Sequence, residues 1–301
     1  MTQGSLSNLP PILKLTLVFT AMLLLGSLSA LIMHVVANPL FNVDMQSLAS
    51  MQSNASFMQT FQILQSICLF VLPSLIAFYY LYNSFQNGIS GSNILSFRAL
   101  VACVGLIILS QAFISYTGWL NHQLELPESM QGICQWMTAK EAEAGELTRN
   151  LIRFDNWFQV SITILMMSVL PAIGEEWIFR GILQRELIGF FKNKHLAIVI
   201  TAIIFSAIHM QFLTFLPRFA LGIILGYIFV LSGNLWLSVI AHFTNNFMAL
   251  MLYMLMAKES SESPFDIPIE NPLGAGVIFS FIAIIGCLYV IRLSYLKEPE
   301  V

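Results

Sequence analysis

The chain has 301 residues, 57% hydrophobic and only 10% charged, with a net charge of −3. Soluble domains carry roughly a quarter charged residues, so a water-soluble fold is excluded. The small net charge gives a nucleic acid no electrostatic footing, and repeated apolar stretches point to an all-α, polytopic membrane protein in contact with a lipid bilayer.

Runs long enough to cross, roughly 17–25 residues each, fall at about 12–36, 60–82, 97–117, 157–190, 195–213, 215–232, 235–256 and 273–293. About eight transmembrane helices are therefore expected. The first run, Leu15 to Val36, is longer than a signal-peptide core of about 7–15 residues and is read as a retained span. The sixth contains Gly222 and Gly226, a small-xxx-small spacing suited to close helix contact. No internal repeat is visible. The four cysteines are scattered: Cys68, Cys103 and Cys287 lie in apolar runs and Cys134 in a polar segment, which suits neither a disulfide framework nor a thiolate metal site.

The largest polar insert, about 118–156, has helix-start residues Pro127 and Glu128 and apolar residues at helical spacing: Met130, Ile133, Met137, then Leu147, Leu151, Phe154. A helix lying on the outer membrane surface is expected there. The chain thus divides into an N-terminal three-span region with this insert (1–156), a four-span core (157–256), and an outer loop with the last span (257–301). Lysine and arginine placement predicts cytoplasmic termini and a cytoplasmic 186–195 segment, with 118–156 and 257–271 outside. In a bacterium this would be the inner (cytoplasmic) membrane.

Polar groups within the spans are few. The fourth run carries Glu175, Glu176 and Arg180, the fifth His209 with Phe205 one turn earlier, and the seventh His242, Asn245 and Asn246. A charge near the bilayer centre costs at least about 2.5–3.5 kcal/mol and calls for a function. Singly, each has an ordinary reading: a structural ion pair, a hydrogen-bonded core histidine, an asparagine joining helices. Together, two carboxylates, two imidazoles and a carboxamide on three helices are costly to bury without a joint purpose. Side chains four apart share a helix face, so Glu176 is expected to pair with Arg180, leaving Glu175 turned toward another part of the bundle.

These residues carry a resemblance. "EEWIFRG" resembles the EExxxR motif of the CPBP family, the CAAX proteases and bacteriocin-processing enzymes also called Abi. "FSAIH" is similar to its FxxxH motif and "HFTNN" to its HxxxN motif, in the family's order and each on its own helix. The resemblance covers roughly 157–250. It implies an intramembrane endopeptidase with its active site inside the helix bundle, acting on a membrane-associated peptide or protein, prenylated or of leader type.

The chemistry can be assigned from the residues. A carboxylate in a low-dielectric cavity is an improved general base near neutral pH. Glu175, helped by His209, would polarise the water, and His242 with Asn246 would donate to the oxyanion. Glu176 with Arg180 would hold the fourth helix in register, and Phe205 would support the site. No cofactor is required by this reading. The alternative is a zinc-dependent metalloprotease with Glu175, His209 and His242 as ligands, although the HExxH helix is absent and zinc would leave Asn246 without a task. Two non-protease readings stand beside these: a non-catalytic scaffold or immunity protein, and a proton-coupled transporter.

Overall fold

The computed structural model describes residues 4–82, 95–124, 127–259 and 274–295. Most of the expected outer loop at 257–271 lies outside the described residues. The described residues form helices α1 (Pro11–Phe41), α2 (Leu48–Ser53), α3 (Ala55–Leu81), α4 (Phe97–His122), α5 (Gln131–Leu151), α6 (Trp157–Phe191), α7 (Lys194–Ala207), α8 (Phe215–Ser232), α9 (Leu235–Glu259) and α10 (Ala275–Leu293), and contain no strand. The chain is an all-α, polytopic membrane protein.

Seven of these helices, rather than eight, are long and apolar enough to cross a membrane. The exception is α7, expected over 195–213 but ending at Ala207. The chain there turns instead of continuing: Met210 takes a left-handed conformation (φ 54°), and a short 3-10 turn, Phe212–Thr214, leads into α8. The break lies beside a motif residue. Phe205 would normally receive the backbone N–H of residue 209, but that N–H goes to Ser206 O, and His209 Nδ1 takes the Phe205 carbonyl at 2.7 Å. The imidazole thus caps its own helix end.

Helix α6 runs unbroken for 35 residues. Asn156 caps its start, its side chain accepting from Gln159 N, and Lys192 in the left-handed region ends it. Asn193 at once caps α7, which makes α6 and α7 an antiparallel pair. Two stretches of α6 are wound as π-helix, Leu165–Val169 and Trp177–Gln184, and α3 has a similar one at Ile67–Val71. The stretches Ile67–Val71 and Leu165–Val169 each end one residue short of a Leu-Pro pair, with Pro73 and Pro171. Proline removes one helix hydrogen bond and crowds the carbonyl four residues back, and a wider turn relieves that crowding. The two helices meet closely: a Cβ on Gly174 would lie 2.7 Å from Phe70 Cβ.

The expected contact at Gly222 and Gly226 is present. A Cβ on Gly222 would lie 3.0 Å from Ala202 Cβ, and one on Gly226 would lie 2.9 Å from Ile198. These glycines seat α8 against α7. The insert is helical as expected, but it is not docked through the spaced apolar residues at its start. Met130 and Ile133 are exposed, whereas Leu151 is buried and the Trp136 ring packs at a tilt against Phe212, with centroids 5.2 Å apart.

Candidate active site

Three helices bring the motif residues together, and the arrangement is layered. The inner layer is an ion pair. Glu176 Oε1 lies 2.6 Å from Arg180 Nη1, and both side chains are fully buried. The i, i+4 pairing expected from sequence is therefore formed. Arg180 Nη2 continues to the Gly222 carbonyl of α8 at 3.1 Å. One turn on, Gln184 Nε2 donates to the Gly226 carbonyl, also at 3.1 Å. These two rungs join α6 to α8. They exist because glycine leaves each carbonyl uncovered, and a Cβ on Gly226 would meet Gln184 Oε1 at 2.8 Å. Gln184 was not singled out from sequence, though its place four residues after Arg180, matched to Gly226 four after Gly222, was the available signal.

Phe205 sits at the centre of this layer. The Arg180 guanidinium lies 4.8 Å from its ring centroid, while Phe179, His209 and His242 pack against it edge-on at 5.2, 5.2 and 5.8 Å. A guanidinium over an aromatic face is electrostatically favourable, most so away from water. Phe205 thus connects the ion pair to both imidazoles.

The outer layer departs from the sequence reading. His242 was expected to act alongside Asn246, with Glu176 tied only to Arg180. In the structure His242 Nδ1 lies 2.8 Å from Glu176 Oε1, the same oxygen that Arg180 holds. On the opposite side of the ring, His242 Nε2 faces Glu175 Oε2 at 3.9 Å. The imidazole therefore stands between the two adjacent carboxylates, hydrogen-bonded to Glu176 and facing Glu175 across 3.9 Å. A carboxylate already paired with a guanidinium is an acceptor, so the His242 Nδ1 bears the proton of that bond, which leaves Nε2 toward Glu175. His209 is fixed in the same sense by Phe205, and it lies within electrostatic reach of Glu175, Arg218 and His242.

Asn245 and Asn246, one turn beyond His242, bond to each other: Asn245 Nδ2 donates to Asn246 Oδ1 at 3.3 Å. In that pair Asn245 is the donor and Asn246 the acceptor. Arg218, in the first turn of α8, is a charged neighbour the sequence reading did not place at the site, and it is within electrostatic reach of Glu175. Among the described residues no three His, Cys, Asp or Glu side chains gather about a common metal position.

Residues 157–248 match the family described as type II CAAX prenyl endopeptidase Rce1-like. That segment contains all three motifs. A Bacillus subtilis protein, the uncharacterized protein YpbD, is 31% identical over 84 residues. The match covers 27% of this chain and 40% of YpbD. No solved structure matches the chain.

Proposed function

From the family match over 157–248 and the placement of His242 between Glu175 and Glu176, we propose that this protein is a CAAX-type intramembrane endopeptidase that hydrolyses peptide bonds without a metal. The observation that carries the reading is the orientation of His242, anchored at Nδ1 by Glu176 and aimed at Glu175 with Nε2. Glu175 is the general base that takes a proton from the attacking water, with His209 Nε2 helping to hold that water. His242 Nε2 receives the proton from Glu175 and delivers it to the leaving amine. While His242 is protonated, it and Asn246 Nδ2 are donors for the developing oxyanion. Glu176 and Arg180 do not touch the reacting atoms in this scheme. They set the ring orientation and tautomer of His242, much as the third member of a hydrolase triad does.

An apolar groove of about 260 Å³ supports a substrate with a hydrophobic tail or anchor. It lies between α1, α6 and α7, with Phe19, Phe179 and Ile208 among its lining residues, and Ile208 directly precedes His209. A prenylated or otherwise membrane-anchored peptide would place its apolar part there. Both termini lie on the cytoplasmic side in this proposal.

The test is cleavage of a membrane-peptide library by purified protein, with new termini mapped by mass spectrometry, beside a Glu175→Gln variant. The wild type should generate defined termini. The variant should lose about 10²–10⁴-fold in turnover, the usual contribution of a general base, while melting normally. Normal turnover by Glu175→Gln would sink the base assignment. Stoichiometric zinc in the pure protein, required for turnover, would sink the metal-free mechanism.

A further inference from the structure

Glu141 of the surface helix α5 carries more hydrogen bonds than anchoring a helix requires. Its Oε1 accepts from Gln211 Nε2 at 3.4 Å and Thr214 Oγ1 at 3.3 Å, and its Oε2 accepts from Leu213 N at 3.2 Å. All three donors belong to one short loop, which begins a single residue after His209. Arg218 braces the same loop from α8: Nη1 donates to the Gln211 carbonyl at 3.3 Å and to Thr214 Oγ1 at 2.7 Å, and Nη2 pairs with Gln211 Oε1. From the end of α4, Asn121 takes Leu216 N at 2.7 Å and gives to the Phe212 carbonyl at 2.9 Å.

The loop needs these braces. It leaves a helix that stops short, passes through Met210 in the left-handed region, and is made of exposed or half-buried residues. A non-glycine residue in that region is disfavoured unless its surroundings hold it. On its helix side His209 is fixed by the Phe205 carbonyl, and on its loop side the nearest fixed points are the partners of Glu141 and Arg218. The far end of α5 is itself tied down, since the buried Gln59 donates from Nε2 to the Leu151 carbonyl at 2.9 Å.

We propose that Glu141 is a positioning residue for His209: the surface helix α5 clamps the 210–214 loop through this carboxylate and so holds the imidazole against the catalytic cluster. The proposal rests on the protease reading of that cluster. It gives the polar insert a role in the chemistry rather than in connection alone. A group misplaced by about 1 Å can cost on the order of 10²-fold in rate, so loosening this loop should be felt in turnover.

The experiment compares the full-length parent with Glu141→Ala and with Glu141→Gln, which keeps one acceptor oxygen and the shape. Hydrogen exchange of peptides spanning 205–216 and the rate of His209 modification by diethylpyrocarbonate, mapped by mass spectrometry, report the loop without reference to activity. Both should be several-fold faster in Glu141→Ala, with Glu141→Gln between it and the parent. Cleavage kinetics should show kcat reduced by about 10- to 10²-fold with KM near the parent value. Unchanged exchange and His209 modification in well-folded variants would overturn the proposal, as would faster exchange with unchanged kcat in an active parent. A parent that cleaves nothing defeats the protease reading instead, and the clamp is then judged by the first two measurements.

Discussion

Helices α1 and α8 are alike in composition but differ in surroundings. Their most apolar stretches have mean hydropathies of 2.2 and 1.9, yet 11% of the first is buried inside the protein and 44% of the second. Helix α1 presents Phe19, Leu24, Leu31 and Val35 outward. Helix α8 presents Gly222 and Gly226 inward, and through their uncovered carbonyls it receives Arg180 and Gln184. In lipid there is little hydrophobic drive for one apolar helix to seek another, so close packing and interhelical hydrogen bonds decide which helix becomes the interior. The contrast shows that apolarity brings a helix into the membrane, while small residues and polar partners bring it into the bundle.

That contrast can be broken most severely at the ion pair. Glu176→Gln leaves Arg180 fully buried without its counter-charge and removes the anchor of His242, and it should cost about 3–5 kcal/mol in an unfolding titration of purified protein. A loss below about 1 kcal/mol would mean that the rungs do not hold α6 to α8. Gly222→Ala is a milder test of the same joint. The new methyl would lie 3.0 Å from Ala202 Cβ and 3.1 Å from Ala202 Cα, and the backbone atom cannot move aside without moving α7. A destabilisation of about 1–3 kcal/mol is expected, as for other overpacked interiors. The smallest effect belongs to α1. Leu24→Ala, at a position 66% exposed, should stay within about 0.5 kcal/mol of wild type in the same titration. A larger penalty there would show that this face of α1 is covered rather than facing lipid.

The candidate site was partly legible. Glu176 and Arg180 are four residues apart on one helix, so their pairing follows from local geometry, whereas His209 lies past the end of α7 and reaches Phe205 only through its side chain. Glu141 and Arg218 were not legible, because a carboxylate in a polar insert and a cation at a span end each have an ordinary solvated reading. Their partner is a loop that exists only because α7 stops at Ala207. The wide turn at Trp177–Gln184 adds a second difficulty, since it changes the angular register of every later residue in α6.

Sequence alone determined that this chain is helical and membrane-embedded, and that its candidate site residues fall in three particular apolar runs. Composition sets the solvent and spacing sets the face within a helix. Only the tertiary structure decided that His242 bonds Glu176 and faces Glu175, because the bond to Glu176 joins residues 66 positions apart. Such a contact depends on how α6 and α9 are rotated and how deeply each is seated. Close approaches at Gly174 and Gly181 fix the seat of α6, the latter with Leu235 of α9 3.1 Å from where a Cβ would stand. Rotation and depth are properties of packed neighbours, and no single helix encodes them.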